Sequence, residues 1–303
     1  MAVLSRGRLG SGATALRAPS LRQLVLLAPL AYVTLILVLP LALTFVWSFW
    51  QRDGFWMRPA FTLNAYLEFF GGPRVTVLGR TAILALAVTA TGLLIAYPVA
   101  YLVSMNVPAA LGRALLLLFT IPFVVNYILR DVSWTYLLAR NGLVNSTLSQ
   151  LHLVQRPVDW LLFSHFAVVV GLVTSYMPFM IYPIWLALIG IDRRLLEASW
   201  LLGAAPRATF LRVTLPLSMP GVFAGVVFAF VGSFGDSAVA RILGGSGYQM
   251  MGDTITSALG VLNYPLAAAM STVVVGLMLV LLVIWFLVFD ATSLLGKVAT
   301  WRR

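Results

Sequence analysis

Few residues in this chain could do chemistry, and they lie close together. From Asp192 to Gly221 the sequence reads DRRLLEASWLLGAAPRATFLRVTLPLSMPG, and Asp192, Arg193, Arg194, Glu197, Arg207 and Arg212 fall within it. Elsewhere the notable ionisable residues are an adjacent Arg130-Asp131 pair and Asp236 at the end of an apolar run. No cysteine is present, so neither a disulfide framework nor a thiolate metal site is possible. His152 and His165 share one connecting segment with no ligand spacing around them, and no metal role is expected. A phosphate-cradling loop needs G-x-x-x-x-G-K-[ST], and the only lysine, Lys297 in "GKV", does not supply it. An intramembrane enzyme would need a Ser-His, paired-carboxylate or metal-ligand constellation within apolar spans, and both histidines are predicted outside them. No catalytic residue is therefore assigned.

The elements that position these residues are set by composition. Of 303 residues, 61% are hydrophobic and 10% charged, against about 25% charged in a soluble domain. A membrane-crossing helix needs about 20 mostly apolar residues. Six stretches qualify, at 24–48, 80–103, 114–138, 166–189, 217–239 and 266–290, the third being interrupted by Arg130 and Asp131. This predicts an all-α polytopic membrane protein: a basic tail over 1–23, a six-helix domain over 24–290 and a short tail over 291–303. Arg6, Arg8, Arg17 and Arg22 precede the first apolar run, which is longer than the 7–15 residues of a cleaved signal and is read as a retained helix. With a cytoplasmic N-terminus, twelve of the twenty Lys and Arg fall on the inner side, a modest positive-inside bias that also places the C-terminus inside. The net charge of +11 then reflects orientation in a bilayer, and no nucleic-acid partner is expected.

At about 2.5–3.5 kcal/mol for each Arg or Asp at a bilayer centre, the charged stretch must sit outside the hydrocarbon. It nevertheless has helical grammar. Asp192 suits an N-cap, 193–202 are good helix formers and Gly203 stands where a C′ glycine ends a helix. Pro206 suits the first turn of a second short helix, 206–213, expected to stop before Pro216. Leu196, Trp200, Leu201, Phe210 and Leu211 add apolar surface, which calls for a protein partner or for an amphipathic helix lying along the inner membrane surface. Ala198, Ser199, Gly203, Ala204 and Ala205 are small enough for a partner to approach the backbone, and Glu197 could pair with a basic group or cap a neighbouring helix.

Glu197-Ala198-Ser199, Gly203 after three more residues, and then Leu215-Pro216 together resemble the EAA loop of binding-protein-dependent ABC importer permeases. Ser199 takes the place of an alanine. The resemblance implies a type I importer permease fold, with a coupling helix between the fourth and fifth spans that docks on a cytoplasmic ATP-binding subunit. Glu197, Ala198, Ser199, Gly203, Leu215 and Pro216 are the implied interface positions. A second segment, "ILRDVSWTYLLARNGLVNSTL" at 128–148, is similar to the polyamine (spermidine/putrescine) branch at Arg130, Trp134, Leu137, Leu138, Gly142, Leu143 and Asn145. A third, "GDSAVARILGG" at 235–245, is similar to that branch at Gly235, Asp236, Leu243, Gly244 and Gly245, with Ser237 in place of an aromatic residue and Ala240 in place of proline.

The resemblance further implies a bacterial inner-membrane subunit with no cofactor of its own, ATP being bound by a partner ATPase dimer. A second homologous permease subunit and an extracytoplasmic substrate-binding protein would complete the assembly. For a polyamine cargo, Asp236 would attract ammonium groups, and Trp134, Tyr136 and Tyr176 could offer ring faces or serve as interfacial anchors and packing. Asp236 has the alternative of solvation or pairing with Arg241. Arg130 and Asp131 point about 100° apart on a helix, so each is expected to find a partner on another helix or to reach the outer water. A self-sufficient secondary transporter, the competing class, expects ionisable residues at the midplane or paired broken helices, and the sequence shows few.

Overall fold

The computed structural model describes residues 29–124 and 126–289. The tails expected over 1–23 and 291–303 and the first residues of the first span lie outside the described residues. The chain separates into two units, Met1–Val46 and Trp47–Arg303. The first contains most of α1 (Pro29–Trp47), an apolar helix with a wide π turn at Thr34–Val38. Its hydroxyls serve its own backbone: Thr34 donates to the Leu30 carbonyl and Thr44 to the Pro40 carbonyl, each at 2.8 Å. That is how polar groups are tolerated where no water is available.

The second unit opens with a hairpin that periodicity did not announce. β1 (Gln51–Asp53) pairs antiparallel with β2 (Trp56–Arg58), with Arg52 opposite Met57. Gly54 takes the turn at φ +58°, and Arg58 forms an ion pair with Asp53. The helices follow in order: α2 (Asn64–Phe70), α3 (Arg74–Asn106), α4 (Ala109–Val124), α5 (Tyr127–Leu138), α6 (Leu143–Gln150), α7 (His165–Ile189), α8 (Arg193–Leu201), α9 (Pro206–Gly235), α10 (Ala238–Leu243), α11 (Met251–Gly260) and α12 (Tyr264–Phe289).

Among the described residues five helices are long and apolar enough to cross a membrane: α1, α3, α7, α9 and α12. They correspond to the first, second, fourth, fifth and sixth expected stretches. The third, 114–138, is not one helix. It is divided into α4 and α5, because Asn126 turns away from helical geometry at ψ 130° and caps a fresh start, accepting the Ile128 N–H at 2.9 Å. An Asn side chain that bonds the backbone locally favours such a boundary over a helix interior.

The helix expected to stop before Pro216 does not stop. Pro206–Gly235 is continuous, and the 210–214 stretch is a π turn in which the Leu215 N–H reaches back to the Phe210 carbonyl. A proline in a regular helix lacks its N–H and its ring strikes the carbonyl four residues earlier. A widened turn just ahead of the proline relieves that conflict. The same device appears in α1, where the π turn Thr34–Val38 precedes Leu39-Pro40 and the Leu39 N–H bonds to the Thr34 carbonyl.

The core is built on α7, buried along most of its length against α3 and α9. On α9 a ridge of small residues, Gly221, Gly225, Ala229 and Gly232, faces it. A Cβ on Gly221 would lie 2.9 Å from the Ile184 Cα and closer still to the Pro183 carbonyl. Apolar lipid gives helices no hydrophobic reason to associate, so close backbone approach over small residues supplies the packing.

Candidate functional site

Two regions carry the charge that sequence reasoning singled out, and the first is the bend between α8 and α9. Asp192 caps α8 by accepting the Arg194 N–H at 2.9 Å. At the other end Gly203 adopts φ +78°, left-handed backbone that costs L-residues other than glycine. Its N–H bonds to the Trp200 carbonyl at 2.9 Å, while the Ala204 N–H bonds to the Ser199 carbonyl at 3.1 Å. This pair of bonds is a Schellman motif, which closes the helix and reverses the chain. Pro206 then opens α9 as expected.

Ser199, the departure from the E-A-A pattern, has a physical role an alanine could not fill. Its hydroxyl is 2.9 Å from the Thr209 hydroxyl, linking α8 to the first turn of α9 across the bend. Phe210 anchors the other side, with its ring edge-on to Tyr97 and Tyr101 of α3. Tyr97 also hydrogen-bonds Ser218 of α9 at 2.9 Å. The bend is therefore braced from beneath while its outer surface is open. Glu197 and Ala198 are exposed, and Leu201 and Leu202 are 89% and 88% exposed with Trp200 beside them. Leu215 and Pro216 are placed inside α9, just beyond the π turn.

The second region lies at the far end of α9. Asp236 follows the last helical residue, and its two oxygens are both used: Oδ1 accepts the Val239 N–H at 3.0 Å, which caps α10, and Oδ2 accepts the Tyr176 hydroxyl at 3.2 Å. Tyr176 needs the room that Gly232 leaves, since a Cβ there would fall within its ring. Asp236 does not pair with Arg241. That guanidinium instead binds Asp253 of α11 at 2.7 Å.

Arg130 reaches from α5 to α7, donating to the Ser175 hydroxyl at 2.9 Å. The expectation that Asp131 would find a partner of its own, or outer water, is corrected. It is fully buried, and neither carboxylate oxygen accepts a hydrogen bond among the described residues. The adjacent Arg130 attracts its charge and Asp236 repels it. Trp134 is half-buried and, like Tyr176, packs against the cluster of Val168, Leu172, Val239 and Leu243. The structure thus joins Tyr176 directly to Asp236 and sets Trp134 in the same packed region.

Other motif residues prove to be architectural. Buried Asn145 donates to the Ala139 and Val158 carbonyls and accepts the Val158 N–H at 2.7 Å, folding the 139–158 segment on itself. At Gly142 a side chain would strike the carbonyls of Tyr136, Leu137 and Ala139. His165 lies 2.7 Å from the Tyr248 hydroxyl, and burial pushes that phenol up to about 12. His152 ends a turn at φ 55°.

Long apolar helices, a buried charged group near one end of the bundle and a charged, apolar-faced bend near the other are the features of a multi-pass membrane protein. Residues 92–293 match the family described as binding-protein-dependent transport system inner membrane component, and the chain belongs to that family. It is 31% identical over 281 residues to the spermidine/putrescine transport system permease protein PotB of Salmonella typhimurium strain SL1344, covering 91% of this chain and 95% of that one. The protein of the same name from Escherichia coli K12 is 32% identical over 271 residues, covering 88% and 96%. Among solved structures, a bacterial alginate ABC transporter in complex with an alginate pentasaccharide-bound periplasmic protein matches with TM-score 0.61 at 15% identity, covering 86% of this chain and 91% of that one. That likeness is one of fold.

Proposed function

We propose that this chain is the permease subunit of an ATP-driven importer and lines the path of a polyamine, putrescine or spermidine, delivered by a soluble binding protein. The cargo reading is supported by the relatives named for spermidine and putrescine, which align along nearly the whole chain. It also fits the chemistry of Asp236 and the Tyr176 ring beside it. The observation that carries the mechanism is the α8–α9 bend: rigid beneath, capped at both ends, and presenting exposed Trp200, Leu201 and Leu202 next to Glu197. Such a surface fits a groove on a cytoplasmic ATP-binding subunit better than it fits solvent.

In this reading the chain crosses the inner membrane six times, the third crossing being made by α4 and α5 in succession. The tails 1–23 and 291–303 are cytoplasmic, and α8 is the coupling helix between the fourth and fifth crossings. The remaining partners are an ATP-binding subunit dimer, a second homologous permease and the binding protein. The chain itself binds no ATP or metal. ATP hydrolysed on the partner would shift the bend as a rigid body. The shift would pass along α9 to Asp236.

The test is reconstitution in proteoliposomes. The complete assembly is expected to import spermidine with ATP, while this chain alone imports nothing. Import by the lone chain driven by an ion gradient would give it to the secondary transporters instead. Substituting Glu197 should weaken association with the ATP-binding subunit and lower transport per ATP hydrolysed.

A further inference from the structure

A cavity of about 440 Å³ opens where four helix ends meet: the π turn closing α3, the start of α4, the end of α7 and the first residue of α8. Val103, Met105, Val107 and Trp185 give it apolar walls, and Arg113 and Arg193 stand on its lining, both exposed. Among the described residues no Asp or Glu lines it. Two of the membrane-length helices, α3 and α7, finish here, beside the charged stretch whose arginines must lie outside the hydrocarbon, and such helix ends are where headgroups meet the protein. We propose that this cavity seats the headgroup and upper chain of an anionic phospholipid, its phosphate between Arg113 and Arg193 and its glycerol and first methylenes against the apolar walls.

Three features favour this occupant. Basic pockets between helix ends at a membrane surface are the chemistry that selects anionic headgroups. The pocket combines cationic groups with an apolar lining, whereas a free phosphate would use only the former. Arg193 also occupies the first turn of α8, where positive charge opposes the helix macrodipole. An anion on Arg193 removes that conflict. Because Arg193 follows the Asp192 cap directly, the bound lipid would also brace the end of α8 that the coupling reading requires to be firm. The lipid site rests on membrane placement and does not need the polyamine assignment.

Native mass spectrometry of the full chain in detergent, titrated with dioctanoyl phosphatidylglycerol, tests it. One lipid should be retained in preference to dioctanoyl phosphatidylcholine, and glycerol 3-phosphate should not displace it. Arg193→Gln should weaken retention about fivefold, and adding Arg113→Gln should weaken it about fivefold again, at the usual worth of a basic residue near an anionic surface. Arg212→Gln, outside the cavity, should change nothing. Arg193→Gln relieves a dipole conflict, so its fold should survive. Equal retention of the zwitterionic lipid, undiminished retention in the double variant, or displacement by glycerol phosphate would each overturn the proposal. So would arginine variants that keep the lipid but lose the ATP-binding subunit, which would give the cavity to that protein.

Discussion

Gly203 is the residue on which the α8–α9 bend turns. Its φ of +78° is strained for any L side chain, so Gly203→Ala should cost about 1–2 kcal/mol at the bend. In the reconstituted importer this should appear as continued ATP hydrolysis with reduced transport, read as cargo moved per ATP; an unchanged ratio would remove the bend from coupling. Ser199→Ala takes away only the hydroxyl bond to Thr209, about 0.5–1.5 kcal/mol. Its effect on the same ratio should be smaller than that of Gly203→Ala. At the other end of α9, Asp236→Asn keeps the shape of the carboxylate but not its charge. The KM for spermidine should rise about tenfold, the worth of one hydrogen bond to a charged group, and import assays against cargo concentration would read it. Tyr248, with its hydroxyl pushed up to about 12, stays protonated through the physiological range and should add no pH dependence there.

Local grammar in the sequence announced the elements that depend on neighbours in the chain. Asp192, Gly203 and Pro206 take the cap, C′ and first-turn positions expected of them, because capping is decided within four or five residues. Pro216 misled because a break and a π turn are alternative answers to the same missing N–H, and only the packing of Phe210 on Tyr97 and Tyr101 favours continuation. The division of the third stretch at Asn126 was hidden by its apolar surroundings, although Asn in an apolar run is a signal in principle. The Tyr176–Asp236 bond joins residues sixty apart in sequence, the Ser199–Thr209 bond crosses a bend, and the burial of Asp131 depends on neighbouring helices, so no periodicity could have shown them. Between elements, the small ridge of α9 makes a sharp forecast. Gly221→Val would push α9 off the Pro183 carbonyl, an overpacking cost of about 1–3 kcal/mol, and the purified chain should unfold at lower temperature than one carrying Val at the open Gly276.

For the molecule as a whole, the orientation can be read directly because the chain contains no cysteine. Leu201→Cys and Leu153→Cys introduce thiols at positions 89% and 68% exposed. In intact cells an impermeant maleimide should label position 153 and spare 201, and inverted vesicles made without the ATP-binding subunit should reverse the pattern. Labelling of both from the same side would overturn the six-crossing arrangement and with it the cytoplasmic location of α8.

The unbroken run of α9 from Pro206 to Gly235 has a consequence for how sequence length can vary. Thirty helical residues span about 45 Å, with the bend at one end and Asp236 at the other. One residue inserted beyond the π turn would rotate Asp236 by about 100° about the axis, carrying it away from the Tyr176 hydroxyl, while Gly232 would lose its place against the ring. The two ends are thus in fixed phase, like keyways cut on one shaft. Between Leu215 and Gly235, away from the small ridge that faces α7, a change of side chain is tolerable where a change of count is not.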